Sequence, residues 1–209
     1  ITQPDWKLID SDLAGIELRL FAHYLARYDG GRYGKILLEQ DIHQVNADKI
    51  GISRRQVKTI TYCFLYGGGN QKLGLSYDNM LSPEAAKKKG AEIRRAYLDA
   101  VDGLEDLVEA TKKVATRGSI RAIDKRQILV DKEHKAINCL LQGSAAVIAK
   151  RWLLLTDAKL GNTTHERYAF VHDEQVLGAP AANAEYIAEV CKLSALEAGE
   201  YYNLRLPIE

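Results

Sequence analysis

YAFVHDEQVLGA, residues 168–179, reads as two extended runs that meet at a polar tip. Aromatic and β-branched residues crowd both arms and His172-Asp173-Glu174 interrupts them, which is the pattern of a β-hairpin. Phe170, Val171, Val176 and Leu177 would anchor the arms in a core, so a carboxylate at Asp173 is rigidly mounted. At the other end of the chain, WKLID (6–10) reads as a short strand. It runs into IELRLFAHYLARY (16–28), where Ile16, Leu20, Tyr24 and Tyr28 recur at helical steps of four. Asp12 therefore stands where a strand hands over to a helix.

Between these two acidic positions the text is helical. A turn at DGGR (29–32) leads into one or two short helices, and Ser53 with Gln56 forms a capping box for a helix from Arg54 to Tyr66. Gly67, Gly68 and Gly69 end it. Ser82-Pro83-Glu84 opens a further helical stretch to about residue 117, broken near Asp102-Gly103. Strand-like text returns at SIRAI and QILV (119–130), followed by a helix over 132–160, the hairpin, a helix over 183–199 and a terminal strand, NLRLP. Strands at both ends around a helix-only middle of about 90 residues predict an α+β fold, a small antiparallel sheet with flanking helices and a helical insertion.

The 209 residues suffice for one large domain or two small ones, and 46% apolar content matches a folded globular chain. Twenty-nine lysines and arginines against 28 acids leave a net charge of +1, so a polyanionic partner would have to be met by a local patch. One such patch is the run Lys112, Lys113, Arg117, Arg121, Lys125 and Arg126, with Asp124 opposing it. Three cysteines in apolar company point to a reducing compartment, and no stretch is apolar enough for a membrane partner. The chain opens without Met and reads as a fragment of something longer.

Three constellations carry chemistry, and each alone has a plainer reading. Asp12, with Glu17 and Arg19 beyond it, taken alone reads first as a helix N-cap. Arg54, Lys58, Tyr62 and Tyr66 wind along one side of a helix. Two cations near its positive end gain nothing from the macrodipole, so the stripe is either a solvated basic face or a seat for a polyphosphate. His172-Asp173-Glu174 is either an ordinary turn or a carboxylate mount. Together they gain meaning, because two carboxylates converging from neighbouring strands can hold a pair of Mg²⁺ ions beside a cationic helix, as nucleotidyl transfer requires.

DLAGIELR (12–19), RRQVKTITYCFLYG (54–67), VHDE (171–174) and the intervening N-x-x-x-QGSAA (138–146) resemble motif A, the fingers-helix motif, motif C and the palm helix of family A DNA polymerases. The resemblance implies a palm over 1–30 and 115–209 and fingers over 31–114. It implies a template-directed DNA polymerase that extends a primer 3′ end with dNTPs on primer–template DNA, using two Mg²⁺ ions. Asp12, Asp173 and the Leu13 carbonyl would hold the metal, with Glu174 beside them. Arg54, Lys58 and His43 would lie at the triphosphate, and Glu17 under the sugar would exclude a ribose 2′-hydroxyl. Tyr62 would stand at the sugar's 3′ side, where a phenol favours dideoxynucleotides and looks phage-like. Tyr66 would stack by the templating base, His172 would touch the primer end, and Gln142 and Asn138 the duplex.

Val147 departs from the family pattern, where many relatives carry an acid. No thumb or proofreading region is visible, so the isolated piece is expected to polymerise weakly, and a processivity factor would act through regions absent here. A cytoplasmic setting follows, the host cytoplasm if the source is a phage. The alternatives are a single-subunit RNA polymerase, against which Glu17 argues, a non-catalytic primer–template binder, and a two-metal nuclease, which has no use for the Arg-Lys-Tyr-Tyr helix.

Overall fold

A computed structural model describes residues 3–208. The chain forms two compact units, one comprising residues up to Leu20 together with Gln142 onward, the other Phe21–Leu141.

The first unit is built on a three-stranded antiparallel sheet. Strand β1 (Trp6–Asp12) pairs with β5 (Glu174–Pro180), which pairs in turn with β4 (Glu166–Val171). Trp6 stands opposite Pro180, Ile9 opposite Leu177 and Asp12 opposite Glu174. Side chains alternate along a strand, so this register sends Ile9, Gln175, Leu177 and Ala179 into the core and leaves Leu8, Asp10, Asp12 and Glu174 on the exposed face. Helix α9 (Ala184–Tyr201) packs against β1 and β5. The indole of Trp152, on the long helix α8 (Ala136–Leu160), is fully buried and donates to the Cys191 carbonyl at 2.8 Å.

The terminal strand expected at NLRLP does not form; the residues after α9 are irregular. The Leu204 N–H is spent on the Gly199 carbonyl, Asn203 sits at φ 53°, and Pro207 has no N–H to offer a ladder. The apolar alternation still does its work, because Leu206 and Ile208 are buried. The buried Arg19 guanidinium donates to the Pro207 carbonyl.

In the second unit, Phe21 onward continues helix α1 (Ile16–Asp29), followed by α2 (Arg32–Glu39), α3 (Ile42–Ile50) and α4 (Arg54–Leu65). The capping box of α4 is present as read, with Ser53 accepting from the Gln56 N–H and the Gln56 side chain accepting from the Ser53 N–H. Helix α5 (Asn70–Tyr77), which the glycine run before it concealed, packs along α6 (Pro83–Ala100). A Cβ on Gly74 would stand 1.9 Å from the Ala86 carbonyl oxygen, and one on Gly90 1.7 Å from that of Asn70, so these backbones touch. Helix α7 (Leu104–Ala115) leads to the hairpin of β2 (Ser119–Arg121) and β3 (Gln127–Leu129), whose inner side joins a small core of Ala115, Ile120, Val130, Ala136 and Leu140.

Helix propensity alone would make Gly90→Ala stabilising by up to about 1 kcal/mol. The contact with Asn70 reverses the sign: urea denaturation should show Gly90→Ala less stable by about 1–3 kcal/mol, and a gain in stability would contradict the close α5–α6 packing.

Candidate active site

The β1–β5 register decides where the acidic residues meet. Asp12 ends β1 opposite Glu174, and one residue further the Leu13 N–H donates to the Asp173 carbonyl at 3.0 Å. Asp12 is therefore not a helix N-cap; it ends a strand, and α1 begins four residues later at Ile16. Leu13 is fully buried, and its carbonyl accepts from the Ile16 N–H at 3.1 Å, which leaves one lone pair. The hairpin tip is tighter than expected, with His172 and Asp173 forming a two-residue turn and Glu174 already in the strand. His172 takes φ 57°, a left-handed conformation that histidine adopts more readily than most residues.

The electrostatics of this sheet end are those of crowded negative charge. Burial, then repulsion from Asp173, Glu17 and Asp10, holds the Asp12 carboxyl above its ordinary value of 3.8. Asp173 is raised in the same sense by burial and then by Glu17. Glu174 is raised first by Asp10 and then by desolvation, with Asp12 and Asp173 adding smaller repulsions. Asp10 was missed from the sequence, although the period of two in WKLIDSD puts it on the same face as Asp12. Glu17, half-buried at the start of α1, accepts from the Gln142 amide of α8 at 3.5 Å.

Among the described residues, no group of three or more His, Cys, Asp or Glu side chains is disposed to hold a metal ion. The donors present nevertheless suit a hard dication that keeps part of its shell for water and phosphate: two carboxylates with raised proton affinity and a carbonyl with a spare lone pair. A bound cation would offset the repulsion that raises them.

The helical unit holds the rest of the predicted residues. Arg54, Lys58, Tyr62 and Tyr66 lie along α4 and its C-cap. Tyr62 stacks on Tyr66 with ring centroids 6.3 Å apart, and the His43 ring stands 6.0 Å from Tyr62. His43 is buried, its Nδ1 lacks a hydrogen-bond partner among the described residues, and burial lowers its pKa. Arg54 pairs with Asp41, which also caps α3 by accepting from the His43 and Gln44 N–H groups. Asp41 was not foreseen; the signal was an Asp directly before an apolar residue in DIHQ. Lys58 is exposed and has no ion pair among the described residues. Asn138 donates to the Leu65 carbonyl at 3.3 Å and so ties α8 to the end of α4. Tyr66 remains 48% exposed, open to a stacking partner.

The sequence profile of DNA polymerase family A matches residues 1–209. The chain belongs to DNA polymerase family A. It is 33% identical over 235 residues to the DNA-directed DNA polymerase of Escherichia phage T7, an alignment that takes in 98% of this chain and 32% of the phage protein. DNA polymerase I of Bacillus caldotenax is 27% identical over 235 residues, covering all of this chain and 25% of that protein. This family A chain thus spans about a third or less of the length of these relatives. The POL domain of Pol1 from M. smegmatis, solved in complex with DNA primer–template and dNTP, superposes with a TM-score of 0.80 over all of this chain and 39% of that one. At 22% identity that match shows a shared fold, the α+β arrangement of small antiparallel sheet and helices. No helix among the described residues is long and apolar enough to cross a membrane.

Because Asp12 binds its proton more tightly folded than unfolded, wild-type stability falls as pH rises from 3.8 through the raised folded value. In EDTA at pH 7, Asp12→Asn should therefore melt at a higher temperature than wild type, with the gap closing as pH drops toward 4. A lower melting temperature at pH 7 would contradict the crowding.

Proposed function

We propose that this family A chain is the catalytic core of a template-directed DNA polymerase, adding dNTPs to a primer 3′ end on primer–template DNA. The observation that carries the reading is the pairing of β1 with β5, which sets Asp12 opposite Glu174 and binds Leu13 to Asp173. Residues 1–30 and 115–209 act as the palm and 31–114 as the fingers, in a cytoplasmic setting.

Asp12, Asp173 and the Leu13 carbonyl would hold two Mg²⁺ ions; when bound, such a pair supplies activation of the attacking hydroxyl and stabilisation of the leaving phosphate. Glu174 and Asp10 add negative charge to the sheet end, which favours cation capture. Arg54 and Lys58 provide charge for the triphosphate, Arg54 exchanging its exposed Asp41 partner for phosphate at small cost. His43, kept neutral by burial, can donate a hydrogen bond without adding a third full charge. Tyr62 offers its hydroxyl near the sugar and Tyr66 a ring for the templating base. Glu17, steadied by Gln142, excludes a 2′-hydroxyl, and His172, Gln142 and Asn138 lie toward primer and duplex.

Primer extension with the chain in its full natural context tests this. Asp12→Asn or Asp173→Asn should lower the rate about 10²–10⁴-fold, the value of several kcal/mol of charge stabilisation. Retained activity, or preference for ribonucleotides, would overturn the reading. Tyr62→Phe should raise discrimination against dideoxynucleotides about 10–100-fold, the worth of one hydrogen bond in the site; unchanged discrimination would remove Tyr62 from the sugar.

A further inference from the structure

A cavity of about 530 Å³ opens in the helical unit between α1, α7 and the β2–β3 hairpin, apart from the carboxylate centre and from the residues along α4. Its size falls within the roughly 300–1,000 Å³ range of small-ligand clefts. Three guanidinium groups line it, Arg27 from the last turn of α1 and Arg117 and Arg121 from around β2. No carboxylate is among the lining residues, and none of the three arginines has an ion-pair partner among the described residues. Their neighbour Arg126 shows the contrast, since Asp124 neutralises it. Three uncompensated cations around one concavity repel one another, a cost that an anion removes.

The rest of the lining says what kind of anion. Leu107, Ile120 and Leu140 form an apolar floor, and Tyr24 and Tyr28 add aromatic rings from α1. Ser119 and Gln127 supply hydrogen-bonding groups at the hairpin. A cationic groove that also presents aromatic rings is the arrangement that holds an unpaired nucleic-acid strand, with phosphates on the cations and a base against the rings. A duplex keeps its bases stacked inside and cannot place one in a cavity.

We infer that this cavity binds single-stranded DNA, seating one nucleotide between Tyr24 and Tyr28 with its flanking phosphates on Arg27, Arg117 and Arg121. The site rests on the DNA-polymerase reading for its choice of ligand, and it is separate from the carboxylate centre.

Fluorescence anisotropy of a labelled dT₁₂ oligonucleotide on the 209-residue chain tests it. The chain should bind dT₁₂ more tightly than a 12-base-pair duplex. The triple variant Arg27→Gln/Arg117→Gln/Arg121→Gln should weaken dT₁₂ binding at least about 10-fold and flatten the slope of log K against log salt by about 2, the loss of three single-strand phosphate contacts. An oligonucleotide carrying 5-iodouracil should crosslink to the peptide holding Tyr24 and Tyr28, which locates the site even if the triple variant folds poorly. Equal affinity of the triple variant, a crosslink elsewhere, absence of binding, or stronger binding of a Glu/Phe peptide that displaces dT₁₂ would each overturn the inference. The anisotropy is read without Mg²⁺ or dNTP, so failure here is distinguishable from failure of the polymerase reading, which primer extension decides.

Discussion

Like charge held at close quarters is the constraint on which this chain is organised. Two antiparallel strands from opposite ends of the sequence pair along their full length, and the last rungs bring Asp12, Glu174 and the Asp173 backbone together. The carboxyls of this cluster take up protons more readily than free ones do. A fold tolerates such repulsion when the rest of the unit supplies more than it loses. Here the supply is a buried sheet face of Ile9, Leu177 and Ala179 beside α9, with Trp152 of α8 fixed to the Cys191 carbonyl.

The contrast between the two faces of that sheet shows how a period of two separates stability from chemistry. Residues pointing inward are apolar or, like Gln175, satisfied by a neighbour, its amide donating to Thr156 at 3.3 Å. Those pointing outward are acidic at one end. A slip of one residue would bury Asp10 and Asp12 and expose Ile9, so the register is defended by every pair along the strand.

Much of this was legible in the sequence, and the exceptions have physical reasons. Local signals were sound where one rule governs: the Ser53–Gln56 box, the break at Asp102-Gly103, the hairpin around residue 172 and its pairing partner at the front of the chain. Reading failed where long-range context overrides a local pattern. NLRLP alternates like a strand, yet its backbone groups close α9 and it meets no free edge. Helix α5 sits behind three glycines that read as a loop, and only its packing on α6 through Gly74 and Gly90 explains it. In the site, the Asp12 and Asp173 juxtaposition followed from strand ends, whereas the Asp41–Arg54 pair did not, because it joins residues on two helices whose packing no spacing rule reveals.

Asp12 and Asp173 are expected to share one cation environment. Anomalous diffraction from crystals of the chain grown with Mn²⁺, primer–template and a non-hydrolysable dNTP addresses it directly. The expected result is a pair of anomalous peaks, each within coordinating distance of carboxylate oxygens from both Asp12 and Asp173. Peaks on only one of the two aspartates, or none at the β1–β5 end of the sheet, would contradict it.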